Sequence, residues 1–246
     1  MNDAATGTPE PGMILRPPRG RGFRFDPGAL CLELLLTSDP GGLPWRLETL
    51  RAPADLVRWA GESRLPGGLR LDVDAAELER AHALRGALWR MTKARARGEA
   101  LGPGDIGTVN AAAALPPLAA VLTPDGTRGW APGATGTALL STVARDAIDL
   151  FTGPYAHRIH ACQAQDCALH FVDTSRPGRR RWCAMGRCGN RNKVRAHRAR
   201  HTDPAEAGVK GGRHDADRTH EGRGMGDRRL PDPAAPGGRP LGLRHG

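Results

Sequence analysis

Two cysteine pairs decide the fold of the C-terminal part of the chain: Cys162-Gln163-Ala164-Gln165-Asp166-Cys167 and Cys183-Ala184-Met185-Gly186-Arg187-Cys188. Fifteen residues separate the pairs, which gives the pattern C-x4-C-x15-C-x4-C. Cysteine pairs joined by a hairpin-sized insert present four thiolates at the corners of a tetrahedron, the geometry of structural zinc. Four thiolates leave no coordination position open, so the pattern predicts one zinc ion with a structural role.

The insert between the pairs predicts a β-hairpin. Residues 169–173 have strand character, residues 174–178 read as a turn, and residues 179–182 would form the returning arm. A module of about 40 residues is too small to hold a hydrophobic core unaided, and zinc supplies on the order of 10 kcal/mol of folding free energy in such modules. Two disulfides are the competing interpretation, which the lack of a recognisable export signal disfavours. Substitute ligands would be His157, His160 and His170, although four cysteines suffice.

The net charge of +10 is distributed unevenly along the chain. Residues 1–150 hold 17 Lys or Arg against 17 Asp or Glu, and residues 202–246 hold 8 against 7. Residues 151–201 hold 11 against 2, which is a net charge of +9 in the cysteine region. A bias of the whole composition would not leave the first 150 residues neutral, so the charge indicates a polyanionic partner for the cysteine region.

The sequence shows no mark of a membrane protein or of the common enzyme classes. No apolar run approaches the roughly 20 residues that span a bilayer, and no secretory signal is visible, so we expect no membrane partner and a cytoplasmic location. A Walker loop, a G-x-S-x-G motif and an H-E-x-x-H motif are all missing. We therefore expect a protein that is not an enzyme.

Periodicity and composition divide the chain into four parts. A disordered leader is predicted for residues 1–22 and a disordered tail for 202–246, which has too few large apolar residues to offset the entropy of ordering. Between them lie a mainly helical domain over 23–150 and the zinc module over 155–201. The predicted fold class is α+β: helices with a small β-hairpin, followed by a zinc-stabilised finger made of a β-hairpin and a helix.

Apolar residues at three- and four-residue steps predict the helices of the N-terminal domain. The longest spans 74–97, with Asp74 and Glu77 as a capping pair. The fifth cysteine, Cys31, lies in an apolar run and is expected to be a buried small hydrophobe. Shorter helices are expected at 53–60, 105–114 and 138–151, and a hairpin at 118–130.

Several motifs place residues 155–201 in register with a known family. They are Arg158-Ile159-His160-Ala161-Cys162, Phe171-Val172-Asp173-Thr174-Ser175, Arg181-Trp182-Cys183-Ala184-Met185 and Cys188-Gly189-Asn190-Arg191-Asn192-Lys193. On these residues the region resembles the CGNR zinc finger. The preceding domain, with Phe25-Asp26-Pro27-Gly28-Ala29-Leu30-Cys31-Leu32, looks like the ABATE domain that accompanies this finger. The resemblance implies a stress-induced bacterial transcription regulator whose zinc ligands are Cys162, Cys167, Cys183 and Cys188.

The resemblance also makes Gly189, Asn190 and Arg191 signature residues, and a basic helix is expected to begin there. Gly189 would permit a backbone conformation closed to other residues, and Asn190 would cap the helix. Arg191, Arg195 and Arg198 would share one face of it and grip phosphates. The predicted nucleic-acid contacts are Arg179, Arg180, Arg181, Arg191, Lys193, Arg195, Arg198 and Arg200.

Structural roles remain open for several of these residues. Arg191 would then hydrogen-bond a carbonyl near the metal, and residues 195–201 would be a solvated helix end. Residues 179–181 would be charged for solubility alone. Trp182 either shields the zinc or stacks on a base, and shielding is the favoured interpretation.

These features predict a zinc-finger regulator that binds double-stranded DNA. The N-terminal domain would sense a small-molecule effector or mediate homodimerisation. One alternative is an RNA-binding or ribosome-associated module, although four Phe, five Trp and one Tyr offer few surfaces for stacking on single strands. The other alternative is a protein-interaction adaptor whose finger is purely structural.

Overall fold

The computed structural model describes residues 11–16, 21–38 and 48–201, with side chains up to residue 198. The described residues all belong to one compact unit, so the helical domain and the cysteine module pack together. The prediction of a disordered tail over 202–246 lies outside the described residues.

The described chain contains six α-helices and four two-stranded sheets. The helices are α1 (Leu30–Leu34), α2 (Pro53–Glu62), α3 (Ala75–Ala96), α4 (Pro103–Ala113), α5 (Gly136–Thr152) and α6 (Asn190–His201). The strands are β1 (Met13–Leu15), β2 (Phe23–Phe25), β3 (Leu71–Asp72), β4 (Ala120–Leu122), β5 (Arg128–Trp130), β6 (Ala134–Thr135), β7 (Ile159–Ala161) and β8 (His170–Val172). Helices with small separate sheets make an α+β fold, which confirms the predicted class.

The four helices predicted in the N-terminal domain are present as α2, α3, α4 and α5, with small shifts of their ends. Pro53 and Pro103 open α2 and α4, at positions where the missing N–H has no helical partner to lose. The predicted hairpin is the antiparallel pair β4–β5, with Ala120 opposite Trp130. Among the described residues, no helix combines the length and the apolar character needed to cross a membrane.

One buried carboxylate joins the N-terminal ends of two helices. Glu77 and Asp74 form the predicted capping box of α3, with N–H to carboxylate distances of 2.7 and 3.1 Å. The same Glu77 carboxylate accepts the backbone N–H groups of Gly136 and Thr137, at 3.2 and 2.7 Å, where α5 begins. Burial alone would raise the pKa of Glu77, but these bonds and one from the Thr137 hydroxyl outweigh it and lower the pKa. Glu77 therefore fixes α3 and α5 relative to each other.

Apolar side chains from α1, α2, α3, α4 and α5, together with Ile159 of β7 and Val172 of β8, form most of the helical core. The periodic positions predicted on α3 are buried, and Cys31 on α1 is fully buried, which confirms its predicted place in the core. The longest helix, α3, packs against both α4 and α5. The most deeply buried members of the helical core include Leu34, Leu56, Ala81, Leu84, Leu88, Leu139, Val143 and Ala147.

A strand occurs where the sequence predicted a disordered leader. β1 pairs antiparallel with β2, with Met13 opposite Phe25 and Leu15 opposite Phe23. Side chains alternate along β1: Ile14 is exposed, whereas Leu15 is buried. The prediction is therefore wrong for residues 13–15, because a three-residue strand gains its stability from the surface on which it packs rather than from its own composition.

The finger hairpin also differs from the prediction. β8 pairs with β7, which precedes the first cysteine pair, with His160 opposite Phe171. Residues 179–182 do not form a strand. The buried carboxylate of Asp173 accepts the backbone N–H groups of Ser175 and Arg180, at 2.9 and 2.8 Å, so the chain after β8 curls back on itself in a loop.

The finger shares its core with the N-terminal hairpin. β1 and β2 supply buried apolar side chains, and the Val172 N–H donates to the Pro27 carbonyl at 2.8 Å. We call this cluster the finger core. It consists of Leu15, Phe25, Leu36, Cys162, Ala164, Leu169, Phe171, Cys183 and Cys188.

Candidate metal centre

The four paired cysteines converge on one point. Their sulfur atoms all lie within 4.8 Å of one another, with Cys167 and Cys183 at 3.7 Å and Cys183 and Cys188 at 3.4 Å. A tetrahedral ion with Zn–S bonds of about 2.3 Å separates its sulfur ligands by about 3.8 Å. None of the five cysteines forms a disulfide. The sulfur spacing therefore fits a zinc ion and excludes the disulfide interpretation in this fold.

Short backbone turns hold the four sulfur atoms in place. Cys162 follows β7, and its N–H donates to the Leu169 carbonyl at 2.8 Å. Cys188 lies in a π-helical turn, Met185–Gly189, that leads directly into α6. The Cys183 N–H points at the Cys162 sulfur at 3.4 Å.

The site already favours a thiolate. Hydrogen bonds from the thiols of Cys167 and Cys183 lower the pKa of Cys162 to about 2. Zinc binds the thiolate form of cysteine and displaces the remaining thiol protons, so the cluster is prepared for the ion.

Arg191 contacts the metal cluster itself. Its Nη2 donates to the Cys188 sulfur at 3.3 Å, and its Nη1 lies 2.9 Å from an Asp166 carboxylate oxygen. Burial acts to lower the pKa of Arg191, but the Cys188 bond and the charges of Cys188 and Asp166 raise it. The first residue of the predicted phosphate-binding face is thus turned towards the metal, and its partners are a sulfur and a carboxylate rather than a carbonyl.

Sequence reasoning missed the role of Asp166, although a signal was available. Residues 151–201 contain only two carboxylates, Asp166 and Asp173, in a strongly basic region. Both are used inside the finger: Asp166 pairs with Arg191, and Asp173 organises the loop after β8. An isolated acid in a basic module is therefore a candidate for a structural partner of an arginine.

Arg180 is also a structural residue of the finger. It is half-buried, its Nε donates to the Trp182 carbonyl at 3.0 Å, and its Nη2 donates to the Cys183 carbonyl. The guanidinium lies over the Phe171 ring, 4.2 Å from the centroid. These contacts tie the loop to the second cysteine pair and give Arg180 a structural role in the finger.

Close packing explains the glycine of the signature. Gly189 does not have positive φ, so the expected need for a special backbone conformation is wrong. A Cβ at this position would lie 2.9 Å from the Met185 sulfur and 3.3 Å from Trp182 Cδ1. Trp182 is half-buried against the finger core, which agrees with shielding of the metal. Any larger residue at 189 would push these two side chains away.

Asn190 does not cap α6 in the expected way. Its side-chain amide donates back to the Gly186 carbonyl at 3.4 Å, one turn earlier. The π-helical turn before α6 supplies backbone groups where an N-cap would stand. The predicted cap is therefore wrong because the helix continues an existing turn instead of starting from extended chain.

The remaining predicted cations lie at the surface. Arg181 donates to Gln163 at 2.8 Å and lies 5.2 Å from the Trp182 ring, and Arg195 reaches Gln165 at 3.5 Å. The side chain of Arg200 is outside the described residues. The exposed cations are Arg179, Arg181, Lys193, Arg195 and Arg198.

Fold and site together define a zinc-finger protein with a helical N-terminal domain. Comparison with protein families agrees: residues 158–201 match the CGNR zinc finger. Residues 28–154 match the ABATE family, whose description reads "Putative stress-induced transcription regulator". The chain belongs to the ABATE family, and its finger binds one zinc ion through Cys162, Cys167, Cys183 and Cys188. No curated protein matches this chain.

Proposed function

We propose that the protein regulates transcription by binding double-stranded DNA through its finger. The observation that carries this proposal is α6, which has no carboxylate along its length and begins at the metal-binding turn. Lys193, Arg195 and Arg198 are exposed on it. A helix of this kind is anchored at the metal site and presents cations to a polyanion.

Duplex DNA suits this surface better than a single strand. Phe171 is fully buried, and Trp182 is packed against Gly189 and covered by Arg181. Binding of single strands depends on aromatic faces that stack on unpaired bases, and these two rings are already occupied. A helix of this width fits the major groove, where phosphate contacts on both sides position it.

Salt-dependent binding of the zinc-loaded protein to duplex DNA tests the proposal. We expect a steep log–log slope that falls by about 0.9 for each phosphate contact removed. The variant Arg195→Gln/Arg198→Gln should lower both affinity and slope. The matched control is Arg70→Gln/Arg97→Gln, which removes the same charge from exposed positions of the helical domain and should leave both unchanged.

Other outcomes of this experiment favour the alternative functions. Equal affinity for RNA of matched length would support an RNA-binding or ribosome-associated module. Absence of binding to either, with one zinc per chain, would leave an adaptor with a structural finger. A loss of affinity in the control variant equal to that in the α6 variant would show that net charge alone drives binding.

A cavity in the N-terminal domain supports a sensory role for that domain. It has a volume of about 550 Å³, within the range of small-molecule sites, and it lies between β1 and α2. Apolar residues such as Ile14 share the lining with three cations, Arg16, Arg51 and Arg58, and three carboxylates, Glu48, Asp55 and Glu62. We propose a non-enzymatic cytoplasmic regulator in which this cavity takes a small molecule with both apolar and polar groups. Such a molecule, found by screening, should raise the melting temperature of the protein, and Ile14→Trp should abolish the shift by filling the cavity.

A further inference from the structure

The strand β1 takes part in both the cavity of the N-terminal domain and the core of the finger. Its three residues, Met13, Ile14 and Leu15, all line the cavity. Leu15 also belongs to the finger core, which includes three of the zinc ligands. Met13 is partly buried and packs against both the helical core and the finger core. We call β1 and Leu36, which has the same two roles, the shared wall.

Hydrogen bonds connect the shared wall to the other residues around the cavity. Thr37 follows Leu36 and also lines the cavity. Its carbonyl accepts the Thr49 N–H at 2.9 Å and the Thr49 hydroxyl at 2.8 Å. Thr49 lies in the segment 48–51, all of which lines the cavity. A displacement of the shared wall would therefore change the shape of the cavity.

The opposite side of the cavity belongs to the helical domain. Leu50 and Trp59 line it, and both are buried members of the helical core. Trp59 Nε1 donates to the Glu33 carbonyl at 3.3 Å, which joins α2 to α1. His82 Nε2 lies 2.9 Å from the Leu50 carbonyl, which joins this segment to α3. Contacts with three helices thus fix this side of the cavity.

The finger holds the shared wall in place. Phe23, which pairs with Leu15, lies under the guanidinium of Arg187, with 4.1 Å between the guanidinium carbon and the ring centroid. Arg187 and the zinc ligand Cys188 belong to the same turn. A small metal-binding module folds only when its ion is bound. Loss of zinc should therefore release the β1–β2 hairpin and, with it, one side of the cavity.

We propose that the cavity and the zinc site favour each other: the cavity is complete only when the finger holds zinc, and a molecule in the cavity strengthens zinc binding. A site that needs an ordered wall binds more tightly when that wall is already in place, and thermodynamic linkage makes the effect equal in both directions. Such couplings typically change affinities about 5–150-fold. The inference rests on the proposed sensory role of the cavity, and it names the finger as the part that the bound molecule controls.

Zinc alone tests this coupling without a cavity ligand. Full-length protein labelled with 5-fluorotryptophan gives fluorine resonances, which the variants Trp59→Phe and Trp130→Phe assign. Trp59 is 2% exposed at the cavity, so loss of the shared wall should admit water to its ring. Removing zinc with a chelator should shift the Trp59 resonance, and adding zinc should restore it. An unchanged Trp59 resonance in the zinc-free protein would overturn the inference.

Trp130 on β5 is the matched control for this measurement. Its Nε1 donates to the Pro66 carbonyl at 3.0 Å, and it does not line the cavity. The Trp130 resonance should stay in place when zinc is removed. A shift of Trp130 equal to that of Trp59 would show that zinc loss unfolds the whole domain, and it would also overturn the inference.

A small molecule bound in the cavity separates this inference from the proposed function. The probe is the non-chelating compound with the largest effect in the melting-temperature screen. It should raise the zinc affinity of the wild-type protein about fivefold or more, measured by competition with a chromophoric chelator. It should have no effect on Ile14→Trp, in which the cavity is filled. Equal zinc affinity with and without the compound would contradict the coupling and leave the cavity as a binding site. If no compound binds while Trp59 responds to zinc, the sensory role fails and the shared wall stands.

Discussion

The helical core and the finger core are stabilised in different ways. The helical core consists mainly of apolar side chains from five helices, joined by Ile159 and Val172 of the finger strands, and its helix ends are satisfied by groups such as the Glu77 carboxylate. The finger core has few large apolar residues of its own and depends on three buried cysteines and on Leu15, Phe25 and Leu36 from the N-terminal part of the chain. Burial of apolar area stabilises the first core, whereas the metal and residues from distant parts of the chain stabilise the second.

Loss of zinc should have the largest effect, and it should be greatest in the finger core. Cys183→Ser removes a buried ligand, and we expect loss of the ion together with on the order of 10 kcal/mol of finger stability. Hydrogen exchange followed by mass spectrometry should show fast exchange over residues 159–190 and over the β1–β2 hairpin, with α3 and α5 still protected. The control Cys31→Ala removes a cysteine from the helical core and should keep one zinc per chain. Continued protection of the hairpin in Cys183→Ser would contradict the shared finger core.

A cavity in the helical core should produce the opposite pattern. Leu139 on α5 is fully buried, so Leu139→Ala should lower the free energy of unfolding by about 2–5 kcal/mol. Urea unfolding followed by circular dichroism measures this change. Zinc content should stay at one ion per chain at low urea. Leu122→Ala is the control, since this leucine is 80% exposed and its loss should cost less than about 0.5 kcal/mol. Release of zinc from Leu139→Ala in the absence of urea would show that the two cores are not independent.

The Glu77 carboxylate should make the helical core sensitive to acid. Its pKa in the folded protein is lowered from the ordinary value of 4.5, so its stabilising effect is complete above pH 4.5 and is lost as the pH falls through the lower folded value. Glu77→Gln should cost about 1.5–3 kcal/mol at neutral pH, and the difference from wild type should shrink in that acidic range. Chemical unfolding across a pH series measures it. Glu79→Gln, at a side chain that is 79% exposed, should match wild type throughout. If Glu77→Gln lowers the free energy of unfolding by the same amount at every pH, the charge of Glu77 does not contribute to stability.

Substitution of Arg191, which contacts a zinc ligand, should give the smallest effect. It also allows a direct comparison with Lys193, an exposed cation of the same helix. Arg191→Gln removes the donor to the Cys188 sulfur, and groups in this position typically change metal affinity by about 10–100-fold. Competition with a chromophoric chelator measures the affinity, and Arg191→Lys should recover part of it by restoring the charge. Lys193→Gln, an exposed cation two residues further along α6, should leave zinc affinity unchanged but weaken DNA binding. Equal zinc affinity in wild type and Arg191→Gln would contradict a role of Arg191 in zinc binding and would favour the predicted phosphate contact.

Sequence patterns predicted the parts of the molecule that depend on local chemistry. The apolar period of α3 and its Asp74–Glu77 cap determine that helix without reference to its neighbours. The cysteine spacing likewise predicted the zinc ligands, because a tetrahedral site requires four sulfur atoms around one ion.

Features set by distant contacts could not be predicted in the same way. β1 is three residues long and carries no period, and its burial depends on a finger that lies far along the chain. The pairing of β8 with β7 depends on the Asp173 loop, which an alternation pattern does not reveal. Some arginines of the finger make structural contacts and others are exposed. The difference depends on neighbours such as Asp166, and residue spacing alone does not identify such neighbours.

The contact between Phe23 and Arg187 also sets an order of events during synthesis. Phe23 leaves the ribosome early, whereas Arg187 emerges only after the whole helical domain has been made. Contacts between residues far apart in sequence form late, because the intervening chain must first be brought into a compact form. β2 thus waits for the metal-binding turn and for the metal, so the supply of zinc governs how long the β1–β2 hairpin of a new chain stays open to proteases.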